Sequence, residues 1–291
     1  MRNKLVTIAI LLFLFAFNSF SAESLFDKIK MAECFNLIYS YKLQEADSLA
    51  TAEFKATSHE RFIIDINIQW YNILSNVNKA DNYKKITATF QALVKRSEQA
   101  KQQSQKDIFL ILYSGIFKLR CDAYFDEKFK ALDTYFKLLP NMKYVLKHSN
   151  DCEEYRLMAG MYNYAFGSIK QQHPILATSL IFFPKSDMIL GQTQLNQCLK
   201  SDFPVVKTEA CYFLYKTRSE LNKDYARSEY LIETLNNQYK TNPLYAIELL
   251  KTSTILKSKT ITKKEVEAII TESRVLSPVQ KNHFLETVGN I

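Results

Sequence analysis

Apolar residues recur along this chain at spacings of three and four, the interval that places side chains on one side of an α-helix. Phe62, Ile66, Trp70, Ile73, Leu74 and Val77 form one such stripe, and Tyr83, Ile86, Phe90, Leu93 and Val94 form the next. Strict alternation, the mark of a half-buried strand, is almost absent. The pattern predicts thirteen helices, over 24–41, 43–56, 59–77, 81–104, 106–122, 126–139, 151–170, 186–200, 205–221, 224–240, 243–257, 262–272 and 277–288. Proline lacks an amide N–H and blocks a helix interior, and Pro140, Pro174, Pro184, Pro204, Pro243 and Pro278 all fall at expected starts or stops. Helix above roughly 65% of the chain beyond its first 22 residues is implied, about twice the share typical of globular proteins.

Small residues stand where these helices are expected to cross, and aromatics fill the gaps. The clearest unit runs from Cys211 to Pro243. Leu214 and Leu221 mark its first helix, Tyr225 opens its second, Ser228 takes a small position, and Pro243 closes it. Cys34 with Leu37 and Ala46, Gly115 with Ala131, and Gly160 followed by Gly191 give three further, looser units. This texture resembles the tetratricopeptide repeat, a helical hairpin of about 34 residues that stacks on its neighbours. Departures are Tyr215 at a glycine position, one extra residue in the turn at Asn222 to Asp224, and a long second helix. The segment Ile169 to Asp187 is no repeat element. With Glu209-Ala210 and Asn242-Pro243 after it, it resembles the insertion of a group of bacterial exported repeat proteins. The resemblance implies an all-α, right-handed α-solenoid of antiparallel helix pairs, one domain over 23–291 with an insertion at about 169–187.

The first 22 residues read differently. Arg2 and Lys4 precede an unbroken apolar run from Leu5 to Phe17, then Asn18-Ser19-Phe20-Ser21-Ala22. A positive start, a short apolar run and a small-residue exit are the parts of a secretory signal peptide. Cleavage after Ser21 or Ala22 is expected, with the mature chain in the periplasm or cell envelope of a bacterium. An uncleaved anchor is the competing reading, but the run is short against the ~20 residues of a spanning helix. Cys34 is too far inside to be a lipid-modified first residue.

Composition narrows the chemistry. The formal charge of +8 falls to +6 once Arg2 and Lys4 are removed, and Lys and Glu are interleaved on most helices. The densest basic stretch, Lys257 to Lys264, contains no aromatic for base stacking, so no nucleic-acid partner is expected. Cys34, Cys121, Cys152, Cys198 and Cys211 are scattered, without CxxC spacing or an adjacent His, which points away from metal. Cys198 and Cys211 lie on consecutive helices and are the candidate pair for a disulfide. His59, His148, His173 and His283 stand in no HExxH or nucleophile-elbow setting, and five glycines leave little with which to build a phosphate loop. Asp151, Glu153 and Glu154 read as carboxylates offsetting a helix macrodipole. No catalysis and no cofactor are expected.

The expected function is therefore a non-enzymatic scaffold or adaptor that binds a partner protein or peptide on the concave face of the solenoid. First helices line that face in this repeat class, which makes Tyr113, Tyr162, Asn163, Tyr212 and Arg218 the candidate groove, with packing between repeats as the competing reading. Leu180, Phe182 and Phe183, in the proline-bounded run Pro174 to Pro184, are the candidate apolar contact for a membrane-associated accessory component of an envelope complex. A small-ligand or glycan binder is the third class, against which the single tryptophan, Trp70 in a core stripe, argues. Mass spectrometry of protein recovered from its native cells should find a new N-terminus at Ala22 or Glu23. An intact Met1 on a membrane-embedded product would overturn the export reading.

Overall fold

The computed structural model describes residues 24–172 and 183–291. The expected leader, and with it the cleavage site, lies outside the described residues, as do Pro174, Leu180 and Phe182. Among the described residues the chain is all-α: 77% is helical and no strand occurs. Thirteen α-helices follow in the expected order. They are α1 (Lys28–Tyr39), α2 (Leu43–Glu53), α3 (His59–Leu74), α4 (Lys79–Gln99), α5 (Gln105–Tyr124), α6 (Lys128–Lys147) and α7 (Glu153–Gln172), then α8 (Met188–Cys198), α9 (Pro204–Lys216), α10 (Tyr225–Gln238), α11 (Pro243–Leu256), α12 (Lys263–Glu272) and α13 (Pro278–Gly289). A π-helical turn, Thr217–Leu221, continues α9.

Local chemistry sets the starts. Asp27, Ser58, Ser104, Asp187, Asp224, Asn242, Thr262 and Ser277 each accept hydrogen bonds from first-turn amides that have no intrahelical partner. At Ser104, Thr262 and Ser277 the side chains of Asp107, Glu265 and Gln280 return the bond, completing capping boxes. Turns are made by left-handed residues: Tyr41 between α1 and α2, Asn76 and Asn78 between α3 and α4, Asp126 between α5 and α6, and Lys223 before α10. Lys257, the C-cap of α11, is left-handed too, so the same device ends the first helix of five hairpins. The extra residue noted at Asn222 to Asp224 follows the π-helical turn, which absorbs the surplus by widening one turn.

Pro140 corrects the sequence reading. It lies inside α6, exposed to solvent, and the helix runs to Lys147 instead of stopping at 139. A mid-helix proline costs about 3 kcal/mol. The buried stripe of Leu138, Met142 and Val145 continues past it, and each such side chain contributes roughly 1.5–3 kcal/mol on burial, so continuation wins.

Consecutive helices pack in pairs, and alternate helices also touch, α1 on α3, α3 on α5, α5 on α7 and α7 on α9. This arrangement is compatible with a helical repeat fold. The tightest seam is between α7 and α8. A side-chain carbon added at Gly191 would sit 2.3 Å from the backbone nitrogen of Tyr164, and one at Gly160 would sit 3.0 Å from Leu195. At Gly191 the backbone of α7 leaves no room for any side chain, whereas at Gly160 even a methyl would press on the side chains of Gln194 and Leu195.

The stack also returns on itself. Asn242, fully buried before α11, donates from Nδ2 to the carbonyl of Tyr39 at 2.8 Å, while its Oδ1 accepts from the amide of Leu244 at 2.9 Å. The Tyr71 and Tyr245 hydroxyls are 3.1 Å apart, and the rings of Tyr39 and Tyr239 are 5.4 Å apart. Gln280 of α13 donates to Ser75 at 3.1 Å, and the Tyr41 ring meets Phe284 edge-on at 5.7 Å. The final hairpins are therefore seated on the first two.

Replacing Gly160 with Leu should lower stability by about 1–3 kcal/mol through overpacking against Leu195. Gly289, which has nothing within 4 Å of an added carbon, is the control, and its change to Ala should leave the melting temperature level or raise it. Equal melting of G160L and wild type would refute the seam.

Candidate functional site

Where the first helices of the pairs converge, α3, α5, α9 and α11 surround a cavity of only about 20 Å³, lined by Trp70, Tyr71, Arg120, Glu209, Tyr212 and Tyr245. Arg120 donates to Glu209 at 2.8 Å, and its guanidinium lies 4.6 Å from the Phe117 ring centre. Burial alone would lower the Arg120 pKa, but the carboxylate of Glu209 outweighs it and raises the value. The inner side of the stack is thus filled by aromatic rings around one satisfied ion pair.

The candidate groove residues are distributed over three places. Tyr113 is buried beside Arg120, where its hydroxyl accepts from Asn67 at 2.8 Å. Tyr212, half-buried, rims the same small cavity. Tyr162 and Asn163 belong to the α7–α8 seam. Tyr162 donates to the carbonyl of Pro184 at 2.8 Å, and Asn163 donates to Gln194 at 3.0 Å and accepts from the amide of Asp187 at 3.4 Å. Arg218 is half-buried on the π-helical turn that continues α9. Of the apolar contact residues, Phe183 is described: its ring stacks on Tyr135 at 4.7 Å and lies 5.5 Å from Phe166.

Buried charge clusters serve as clamps. Glu154 accepts from the Ser24 hydroxyl at 2.5 Å and the Leu25 amide at 3.0 Å, and burial is the main reason its pKa is raised. Glu153 accepts from Ser201 at 2.5 Å and pairs with Lys28 at 2.7 Å. These carboxylates, expected only to offset the α7 dipole, tie the chain's first described residues and the α8–α9 connection to one helix start. A second pair, Lys118 with Asp122, is almost fully enclosed, and Asp122 also accepts from Tyr83 at 2.7 Å and Thr134 at 3.2 Å. Two charges in an apolar run at a spacing of four are a legible signal of a buried pair, and sequence reading passed over this one.

Two larger open grooves lie elsewhere among the described residues. The first, about 460 Å³, lies between α4 and α6 above Lys118, with Lys84, Lys130 and Lys137 around it. The second, about 470 Å³, lies where the α1–α2 turn (Tyr41 to Glu45) and Asn72 face the α12–α13 connection (Arg274 to Gln280). It exists only because the ends of the stack meet. Among the described residues the side chains of Gln44, Asn72 and Arg274 make no hydrogen bond there, and sequence reading named none of them.

Among the described residues no cluster of three or more His, Cys, Asp or Glu side chains is placed to hold a metal, and no helix is long and apolar enough to cross a membrane. No protein-family model, curated protein or solved structure matches the chain. The class that the fold defines is, over the described residues, an all-helical protein of thirteen α-helices packed against their neighbours.

All five cysteines are free and buried, so Cys198 and Cys211 are unpaired. Burial raises the thiol pKa values to about 11 at Cys34 and about 12 at the other four. Since the thiolate is the reactive form, native protein should resist a water-soluble thiol reagent near neutral pH and release five equivalents only on denaturation. Fast native labelling of any one of them would place it outside the core.

Proposed function

We propose that this chain is a non-enzymatic scaffold or adaptor that binds a partner protein or peptide, built as a right-handed, tetratricopeptide-like stack of helix pairs in one domain and acting outside the cytoplasm after loss of residues up to Ser21 or Ala22. The observation that carries the reading is the groove formed where the first and terminal hairpins meet. Its amides and guanidinium, Gln44, Asn72 and Arg274, stand ready to bond the backbone and carboxylates of an extended segment. The inner face is a poorer seat than the sequence pattern suggests, since Tyr71, Tyr212, Tyr245 and their neighbours close it to about 20 Å³, room for about one water molecule. No cofactor, metal or nucleic acid enters this reading.

A photo-crosslinking residue placed at Gln44 should trap one discrete protein or peptide in native cells, whereas the same residue at exposed Lys259 should not. The double change Asn72→Ala with Arg274→Ala should reduce that adduct by about tenfold or more, with melting unchanged. Equal adducts from both positions, or none from Gln44, would sink the proposal. Stabilisation by oligosaccharides that is lost in the same double variant would instead favour a glycan ligand.

A further inference from the structure

α6 is apolar on two opposite faces. One face, Thr134, Leu138, Met142 and Val145, is buried in the stack. On the other, Phe129, Leu132 and Phe136 follow at spacings of three and four and are 91%, 48% and 50% exposed. A phenylalanine at 91% exposure has no packing role, and three large apolar side chains in one stripe mark a contact surface rather than scattered surface residues. The same face continues through Pro140 to Lys143 and Lys147, both exposed and without an ion pair among the described residues.

Charge identifies the occupant. α6 carries Lys128, Lys130, Lys137, Lys143 and Lys147 against the single carboxylate Asp133. Lys128, Lys130 and Lys137 pair with Asp126, Glu127 and Asp133, but these are exposed contacts of the kind that exchange readily for another anion. Lys130 and Lys137 also border the groove of about 460 Å³ that Lys84 faces from α4, where the Thr87 hydroxyl makes no hydrogen bond among the described residues. Two copies meeting through this face would bring Lys143 and Lys147 toward their own kind. An apolar stripe rimmed by lysines instead fits a surface with acyl chains beneath anionic headgroups.

We propose that α6 is a peripheral membrane-contact helix that sets Phe129, Leu132 and Phe136 into the headgroup boundary of an anionic lipid surface, with Lys143 and Lys147 on the phosphates. The contact is separate from the groove of Gln44 and Asn72, and its test does not depend on that reading.

The test is flotation of the whole chain with vesicles of phosphatidylcholine alone and of phosphatidylcholine mixed equally with phosphatidylglycerol. Binding should favour the anionic vesicles by at least about tenfold and weaken as salt is raised. The variant F129S/F136S should lose at least about tenfold of that binding. K143E/K147E should lose a similar factor, with an unchanged melting curve, since both lysines are exposed. Should F129S/F136S melt early, K143E/K147E alone decides. Equal binding to both vesicles, binding that survives in K143E/K147E, or no binding would each overturn the proposal. A wild-type dimer that F129S/F136S dissolves, in the absence of vesicle binding, would assign the stripe to a second copy.

Discussion

The side chain of Asn242 is the contact on which the arrangement turns. A stack of helix pairs gains its stability from nearest neighbours, and nothing in that rule brings its ends together. Here one buried amide caps α11 through its oxygen and satisfies the last turn of α1 through its nitrogen. Thr241 adds a bond to the Ser40 carbonyl at 2.8 Å, so the termini of two helices some two hundred residues apart share their partners. Each end of an α-helix leaves backbone groups that must be bonded or wetted. Joining α1 and α11 in this way lets both termini be buried without leaving them unsatisfied.

Closure then determines where anything can bind. An open helical repeat presents its first helices along a concave surface, but here those helices meet one another. Tyr39, Tyr71, Tyr239 and Tyr245 occupy the space, and their pKa values are raised chiefly because burial disfavours the phenolate. Tyrosine suits such a junction, because its ring fills volume while its hydroxyl reaches a polar partner, as Tyr41 does with the Tyr71 carbonyl at 2.9 Å. Tyr41 holds a left-handed backbone, φ 64°, which is unfavourable for a bulky side chain, and packing on Tyr71 and Phe284 holds it there. Surfaces free for a partner are consequently the seam between the ends and the outward faces of the second helices.

Helix number, order and most boundaries were legible because periodicity, caps and turn residues are local. Ser58, Asp187 and Thr262 announce helix starts within three residues of the amides they bond. Gly160 was legible as a crossing because small residues at helix seams have a single cause. Pro140 was misread for the complementary reason: a local rule forbids it, while the burial that overrides the rule comes from other helices. The pair of Lys118 and Asp122 on one helix was legible and passed over, whereas the contacts of Glu153 and Glu154, the inner cavity and the two larger grooves were not legible, since each joins side chains from separate hairpins. Tyr113 and Tyr212 come together at Arg120, but no periodicity distinguishes a tyrosine facing a groove from one facing another tyrosine.

Closure also changes how the molecule should respond to damage. In an open array a weakened repeat frays locally, and the loss stays with its neighbours. In this chain α3 touches α11 through Tyr71 and Tyr245, and α13 through Ser75, Gln280 and the Leu74 carbonyl, which lies 3.2 Å from His283. Opening the last hairpin therefore breaks hydrogen bonds made to the first two, each worth about 0.5–1.5 kcal/mol net, and uncovers the aromatic rings packed beneath it. The ends cannot fray independently. Intermediate helices hold those ends in place, so the entropy of closing the ring is already met by neighbour stacking instead of by a long flexible loop. A stack of helix pairs closed in this way should unfold with the all-or-none character of a globular domain, and the groove between Gln44 and Arg274 lasts only as long as its two ends stay joined.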